Sequence, residues 1–462
     1  SGAGAVCPVC AAGGAGASRI GAGDTDGADC RKLGAVASGA TRDEGHFALC
    51  FGAKRPRRTQ WVDPSASSAL ALLALADRRP CDGARRPGCA LPPCLYADEI
   101  APFLHFDAPV PNQLYAVGGR NKQTNPLDTV EMFDTWHGSW VACPHMLSRR
   151  AGCAAALLGD GRLFVVGGYD ERGIVSGLLD SCEIFDAARQ AWQPAEARLL
   201  RARWGHGCAT LGGLVYAVGG CSLRPGSPPT EACMETLRSC EVYDPSLRVW
   251  AQCGELHVPR AGARVVALGD CYLAAVGGCD DVFGRAELLP TVELLDRRTG
   301  RWALLSSQLS TPRTTAAVAA LDDGQILITG GAPSLSSSEV YRLPGQTDPR
   351  CAERIPSHVP GLRTPVGDLA QGRMGCQAVT MDLPPPQSAY PFCTRQCVVV
   401  VGGENGDEAQ QDGDHGIRQF SSVLVYDRED AEWRRDDSVP PIPTPRTAMA
   451  LCVGPGRISG FP

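Results

Sequence analysis

Six arginines recur at one point of the chain's internal pattern, Arg150, Arg203, Arg260, Arg313, Arg373 and Arg446, and Arg120 stands near its first copy. Guanidinium forks pair bidentately with carboxylates, so arginines gathered on one surface would bind an anion, most simply an Asp- or Glu-rich protein segment. Arginines placed this way have a competing structural use, which is to cap strand-end carbonyls or to pair with a repeated Asp of a neighbouring unit. Metal chemistry has two candidates. Cys7-Pro8-Val9-Cys10 has zinc-knuckle spacing, and Cys30, His46 and Cys50 could complete a tetrahedron. The second pair lacks that spacing, and Gly/Ala-rich sequence accumulates such coincidences. Glu408, Asp412 and His415 carry the carboxylate–imidazole set of an iron site, in a loop whose acidity is ordinary solvation. The expectation is no metal and no cofactor. No Walker loop, Gly-x-Ser-x-Gly elbow, His-Glu-x-x-His helix or dinucleotide fingerprint occurs in a suitable context, so the chain reads as a non-enzyme.

The arginines are positioned by a repeat. An apolar strand ends in a diglycine, a polar loop follows, a second strand ends in aromatic-Asp, and a Trp comes six residues after the Asp. The diglycines are Gly118-Gly119, Gly167-Gly168, Gly219-Gly220, Gly277-Gly278, Gly330-Gly331 and Gly402-Gly403. Their second members lie 49, 52, 58, 53 and 72 residues apart. The second strand reads Val130-Glu131-Met132-Phe133-Asp134 in its first copy and degrades to Glu339-Val340-Tyr341, without Asp or Trp, in the fifth. That unit should be the least regular. Paired glycines allow positive φ and close backbone approach, and the flat aromatics fill the wedge between twisted four-stranded units.

Each arginine opens a further strand, the innermost of its unit. The last copy, Thr447 to Cys452, has no diglycine strand after it, and the first diglycine strand, Gln113 to Val117, has no arginine start before it. The C-terminal strand therefore supplies the inner strand of the first unit and closes the ring, leaving no long unpaired edge. Phe103 to Phe106 is a rival without the Arg-x-Gly start.

Through Leu114-Tyr115-Ala116-Val117-Gly118-Gly119-Arg120-Asn121 and Met146-Leu147-Ser148-Arg149-Arg150-Ala151-Gly152, the chain from about 110 to 455 resembles the Kelch propeller of BTB–Kelch ubiquitin-ligase substrate adaptors, especially the oxidative-stress sensor among them. The resemblance implies an all-β fold, a six-bladed Kelch β-propeller closed by a C-terminal strand. It also implies a protein-binding role as scaffold or substrate adaptor. In the stress sensor the matching arginines contact an acidic client motif, which points to Arg120, Arg150 and Arg203. No BTB domain is recognisable, so a cullin-type ligase component is a weaker expectation than a protein partner with an acidic peptide motif. Against Kelch-type iron-binding specifier proteins, Glu408, Asp412 and His415 fall one residue short of the Glu-x3-Asp-x3-His pattern. Sugar mutarotases and actin-bundling proteins are the other uses of such propellers. The seven-bladed copper oxidases need a Tyr–Cys crosslink and His ligands that find no counterpart here.

Composition agrees with this outline. In 462 residues there are 54 Gly and 36 Pro, and the net charge of −6 lacks the basic excess a nucleic-acid binder needs. No run approaches the roughly 20 apolar residues of a membrane span, so a membrane is not an expected partner. No basic-then-apolar leader opens the chain at Ser1. Of the 22 Cys, Cys153, Cys208, Cys271, Cys376 and Cys452 fall in apolar strands, which favours small core thiols in a reducing cytoplasm. Cys221 and Cys279 directly follow a diglycine and read as the accessible thiols. Lys54-Arg55-Pro56-Arg57-Arg58 reads as a solvated linker, with nuclear import as its alternative use. The expected division is a Gly/Ala-rich, largely disordered tail over 1–108, the propeller over 109–455 and a short tail over 456–462.

Overall fold

The computed structural model describes residues 110–456, apart from 136, 322–323, 333–335, 344–361, 384–393, 406–416 and 435–438. The N-terminal tail, the candidate zinc residues Cys7, Cys10, Cys30, His46 and Cys50, the basic run, the rival closing strand at 103–106, and Glu408, Asp412 and His415 lie outside the described residues. Among those described, no three His, Cys, Asp or Glu side chains cluster as metal ligands, and no helix is long and apolar enough to cross a membrane.

Six four-stranded antiparallel sheets form the six blades expected. Blade 1 is ordered Ala450–Gly456, Val110–Val117, Val130–Asp134 and Ser139–Cys143, so the C-terminal strand is indeed its inner strand. Blade 2 comprises Ala154–Leu157, Leu163–Val166, Cys182–Asp186 and Ala191–Pro194; blade 3, Gly207–Leu211, Leu214–Val218, Cys240–Asp244 and Val249–Cys253. Blade 4 holds Arg264–Leu268, Tyr272–Val276, Thr291–Asp296 and Arg301–Gln308, and blade 5 holds Ala317–Leu321, Gln325–Thr329, Ser338–Arg342 and Leu362–Val366. Gln377–Leu383, Arg395–Val401, Val423–Asp427 and Glu432–Trp433 make blade 6. Each inner strand contacts those of the blades before and after it, and blade 6 returns to blade 1. A ribbon of Cys221–Leu223 and Met234–Thr236 is inserted in blade 3.

The core is not one mass but six wedges. Each large apolar cluster draws its side chains from two consecutive blades: Tyr115, Val117, Leu163 and Phe185 between blades 1 and 2, Phe164, Val215, Tyr243 and Trp250 between blades 2 and 3, and so round the ring. The repeat aromatic and its Trp sit together, with ring centroids 4.9 Å apart for Phe185–Trp192 and 5.4 Å for Tyr426–Trp433. The repeated Asp turns out to cap the hairpin behind it: Asp244 accepts from the Ser246 N–H at 2.8 Å and Asp296 from the Arg298 N–H at 2.8 Å. Blade 5 has Arg342 in place of that Asp, and residues 344–361 before its outer strand lie outside the described residues.

Both glycines of each pair have positive φ, and the crowding of neighbouring backbone around them explains why. A Cβ on Gly118 would lie 2.5 Å from the Arg150 carbonyl oxygen, and one on Gly119 2.6 Å from that of Thr447. The described cysteines are all free thiols. Cys153, Cys376 and Cys452 are buried as expected, and burial pushes the Cys153 thiol up to about 11. Cys208 and Cys271 are half-buried. The expectation of accessible thiols at Cys221 and Cys279 is overturned: both are buried, because the residue after the diglycine still bridges to the chain entering an inner strand, Cys221 to Trp204 and Cys279 to Ala261. Burial pushes the Cys221 thiol up to about 12, which leaves it protonated and unreactive.

One buried group is out of place. His206 stands where the other repeats carry Cys153, Ala263, Ala316, Cys376 and Met449, with its Cε1 packed 3.0 Å from where a Gly167 Cβ would be. It is 3% exposed, neither ring nitrogen has a hydrogen-bond partner among the described residues, and burial, with Arg203 adding, drives its pKa down to about 3. The folded protein thus keeps His206 neutral, whereas the unfolded chain protonates it below its ordinary value near 6.5. Between these values the unfolded state binds the extra proton. Stability is therefore full above about pH 6.5 and falls as pH drops toward 3, by up to about 1.4 kcal/mol per unit from this group. His206→Met is expected to flatten that part of the slope. Urea midpoints at pH 7 and pH 4.5 check it, and an equal acid loss in both proteins would count against it.

Candidate partner-binding face

Strand direction puts all six diglycines, the six repeat arginines and the loops that enter the inner strands at one end of the ring. Arginines lining an open mouth at that end were expected; the structure corrects this. Arg150, Arg203, Arg260, Arg313, Arg373 and Arg446 are each no more than 1% exposed. Each side chain turns into its own blade. Arg150 donates through Nη1 to the carbonyls of Gly167 at 3.0 Å and Ser181 at 2.8 Å, and through Nη2 to Ser181 Oγ and to Glu183 at 2.9 Å. Arg260 does the same with Gly277, Thr291 and Glu293, Arg446 with Gly118, Thr129 and Glu131, Arg203 with Gly219, Ser239 and Glu241, and Arg313 with Gly330, Ser337 and, at 3.5 Å, Glu339.

The backbone of the same arginine reaches the other way. Its carbonyl accepts the N–H of the second glycine of the preceding blade, Arg150 from Gly119 at 2.8 Å and Arg446 from Gly403 at 2.9 Å, with the same bond in the other four repeats. These residues are staples between blades. Their position near the axis was readable, but their burial was not, because the partner is a Glu in the third strand whose distance along the chain varies with loop length. The sign in the sequence was the Glu at the same place of every third strand but the last: Glu131, Glu183, Glu241, Glu293 and Glu339, then Leu424. Arg373 accordingly has no carboxylate partner among the described residues. It keeps Gly402 and Ser422, its Nε is unbonded, and its guanidinium carbon lies 4.9 Å from the Phe420 ring centre.

The buried carboxylates also clamp the loops above them. Glu183 accepts the Leu147 N–H at 2.8 Å, Glu241 the Leu200 N–H at 2.7 Å, and Glu293 the His257 N–H at 2.7 Å. In blades 2 and 3 the clamped residue is a leucine that faces solvent, Leu147 at 58% and Leu200 at 61% exposure. The exposed Arg198 and half-buried Arg201 flank Leu200, and exposed Arg149 stands beside Leu147, 3.8 Å from Asp128. The rim of the channel is formed by the residues after each diglycine, Arg120, Tyr169, Cys221, Cys279, Ala332 and Glu404, each bridged to the chain entering an inner strand. Of the expected site arginines, Arg120 alone reaches this surface. It is 34% exposed and bonded at 2.9 Å to buried Glu404, which also accepts from Gln419.

Comparison with known proteins agrees with this architecture. A family model described as the KLHDC2/KLHL20/DRC7 Kelch-repeats domain matches residues 105–331. Kelch-like protein 25 of Xenopus tropicalis is 26% identical over 279 residues, 60% of this chain and 39% of that protein. Human Kelch-like protein 23 is 27% identical over 195 residues, 42% of this chain and 32% of that protein. The chain thus spans two fifths or less of the length of these relatives. The solved structure of YjhT superposes with a TM-score of 0.50 over 71% of this chain and 97% of its own, at 15% identity, a likeness of fold alone.

Proposed function

Taking the chain as a six-bladed Kelch-repeat β-propeller, we propose that it is a protein-binding module whose partner docks on the diglycine end of blades 1 to 3. The observation that carries this is the pair Leu147 and Leu200. A single exposed leucine is ordinary surface. Two at the same position of adjacent repeats, each with its backbone N–H held by a buried carboxylate, form a preorganised apolar pair whose ordering has already been met in folding. Arg149 and Arg198, close to these leucines in the chain, are exposed and already paired with Asp128 and Asp180, and Arg120 on the same end is paired with Glu404, so a partner segment in which apolar side chains alternate with Asp or Glu would compete for or share these cations. The acidic motif expected of the partner is therefore kept, but its contacts move from the buried arginines to this rim. Use of the face to present a substrate to a ubiquitin ligase is the reading supported by the resemblance to BTB–Kelch adaptors and by the Kelch-like names of the relatives.

Peptides selected from a displayed library on the full chain test the face. Leu147→Asp with Leu200→Asp is expected to weaken the selected peptides at least tenfold, an anchor loss of about 1.4 kcal/mol or more. Leu247→Asp, equally exposed but at the opposite end of blade 3, is expected to leave them unchanged. Equal affinity in the double variant and the parent would overturn the assignment, as would loss only on substituting Leu247. Recovery of a cullin with the full chain from cells, and its loss in the absence of the chain, checks the adaptor reading separately.

A further inference from the structure

The inner strands leave one edge of every blade facing the axis, and between them lies a cavity of about 340 Å3 lined by all six. Four residues beyond five of the repeat arginines the chain enters this channel, with Ala154, Gly207, Arg264, Gln377 and Ala450, while blade 5 lines it from Val318 onward. Three of these five are Ala or Gly. The room they leave is crossed by the other two. Arg264 of blade 4 donates through Nε to the Ala316 carbonyl at 2.8 Å and through Nη2 to the Cys376 carbonyl at 3.0 Å, so its guanidinium reaches past blade 5 to blade 6. Gln377 continues the arc by donating to the Met449 carbonyl at 2.9 Å.

Arg264 differs from the repeat arginines in its charge balance. Its partners are neutral carbonyls, no ion pair reaches it among the described residues, and no Asp or Glu lines the cavity. Burial lowers its pKa to about 10, so it stays charged at neutral pH. Arg264 is half-buried, so a charge without a counter-ion there is only partly hydrated, and a neutralising ligand relieves that cost. Nη1 makes no hydrogen bond with the described residues, so one edge of the fork is left for an acceptor. The rest of the wall is largely aliphatic, including Val265, Val318, Val379 and Leu451, and its hydroxyls at Thr210 and Thr380 are already committed to the carbonyls of Leu157 and Ala320.

We propose that the channel is a binding site for a small organic acid, its carboxylate on the Arg264 fork and its apolar body against the valines. The volume is that of a small-ligand pocket, at the lower end of the usual several hundred Å3. A planar fork suits a carboxylate better than a spherical ion, and an aliphatic wall suits an organic body better than a hydrated phosphate. The site is independent of the partner-binding face.

Calorimetric titration and thermal shift of the full chain with isobutyrate and benzoate, with their uncharged amides, and with chloride and phosphate test it. The expected result is saturable binding and stabilisation by the carboxylates alone. Arg264→Gln is expected to weaken carboxylate binding at least tenfold. Arg264→Met is expected to raise the melting temperature in carboxylate-free buffer while losing the response, which shows that the fold survives. The Leu147→Asp, Leu200→Asp protein should bind carboxylates as the parent does. Equal shifts from acids and amides, a full response in Arg264→Gln, preference for phosphate or chloride, or no binding at all would each overturn the proposal.

Discussion

Deletion of residues 446–462 is expected to abolish cooperative unfolding rather than to lower its midpoint. The strand Ala450–Gly456 pairs with Val110–Val117 in the register Tyr115 to Cys452 and Val117 to Ala450, and it is the only link of blade 1 to the axis. It supplies Met449 and Leu451 to the wedge between blades 6 and 1, and Ala450 and Cys452 to the wedge between blades 1 and 2. Arg446 adds the staple from the Gly403 N–H to Glu131, and the Tyr115 hydroxyl donates to the Pro455 carbonyl at 2.7 Å. Without this segment two wedges lose one wall, and the Val110–Val117 edge is left without a partner in a structure whose core consists of such wedges. Far-UV circular dichroism during heating reads the outcome directly. A sigmoidal transition at the parental temperature would mean that the ring does not depend on this closure.

The second large effect concerns the staples and runs in both directions. Glu293→Leu copies into blade 4 the arrangement natural to blade 6, and is expected to cost about 3–5 kcal/mol, the usual penalty for stranding one member of a buried ion pair. Arg260 and Glu293 are both fully buried, and Glu293 also holds the N–H groups of His257 and Val258. Leu424→Glu, the opposite exchange, places a carboxylate where Arg373 lacks one and is expected to stabilise by about 1–3 kcal/mol, the contribution of hydrogen bonds to a charged group. Burial lowers the Arg373 pKa, opposed only by the nearby Cys376 thiol and by no carboxylate among the described residues, and the Phe420 ring supplies a weaker contact to the cation. Urea unfolding of the two variants against the parent decides. If Leu424→Glu is the more destabilising of the two, packing of Leu424 in the wedge between blades 5 and 6 outweighs the missing charge.

The two exchanges also show where sequence reasoning reaches its limit. Blade number, the diglycine turns and the closing strand were legible because each is a local pattern repeated in register: Gly118-Gly119 recurs five more times, and Arg446-Thr447 opens a strand with no diglycine of its own after it. The Arg150–Glu183 pair was equally periodic, yet the spacing between partners changes from 33 residues for Arg150 to 26 for Arg313, since the intervening loops differ in length. Pairing across a loop is a property of the folded blade. A repeat can mark a residue as recurrent without telling whether its charge meets solvent or a buried carboxylate, and here the enclosure of each guanidinium by its own blade withdrew six of seven expected site arginines from the surface. Leu147 and Leu200 occupy the same repeat position, and what sets them apart is an apolar side chain left facing solvent on a backbone clamped by a buried carboxylate. Arg264 is one arginine among many along the chain. Its lack of a counter-ion appears only when six inner strands come together around it, because which groups line the channel is a consequence of closure, to which residues far apart in the chain contribute together.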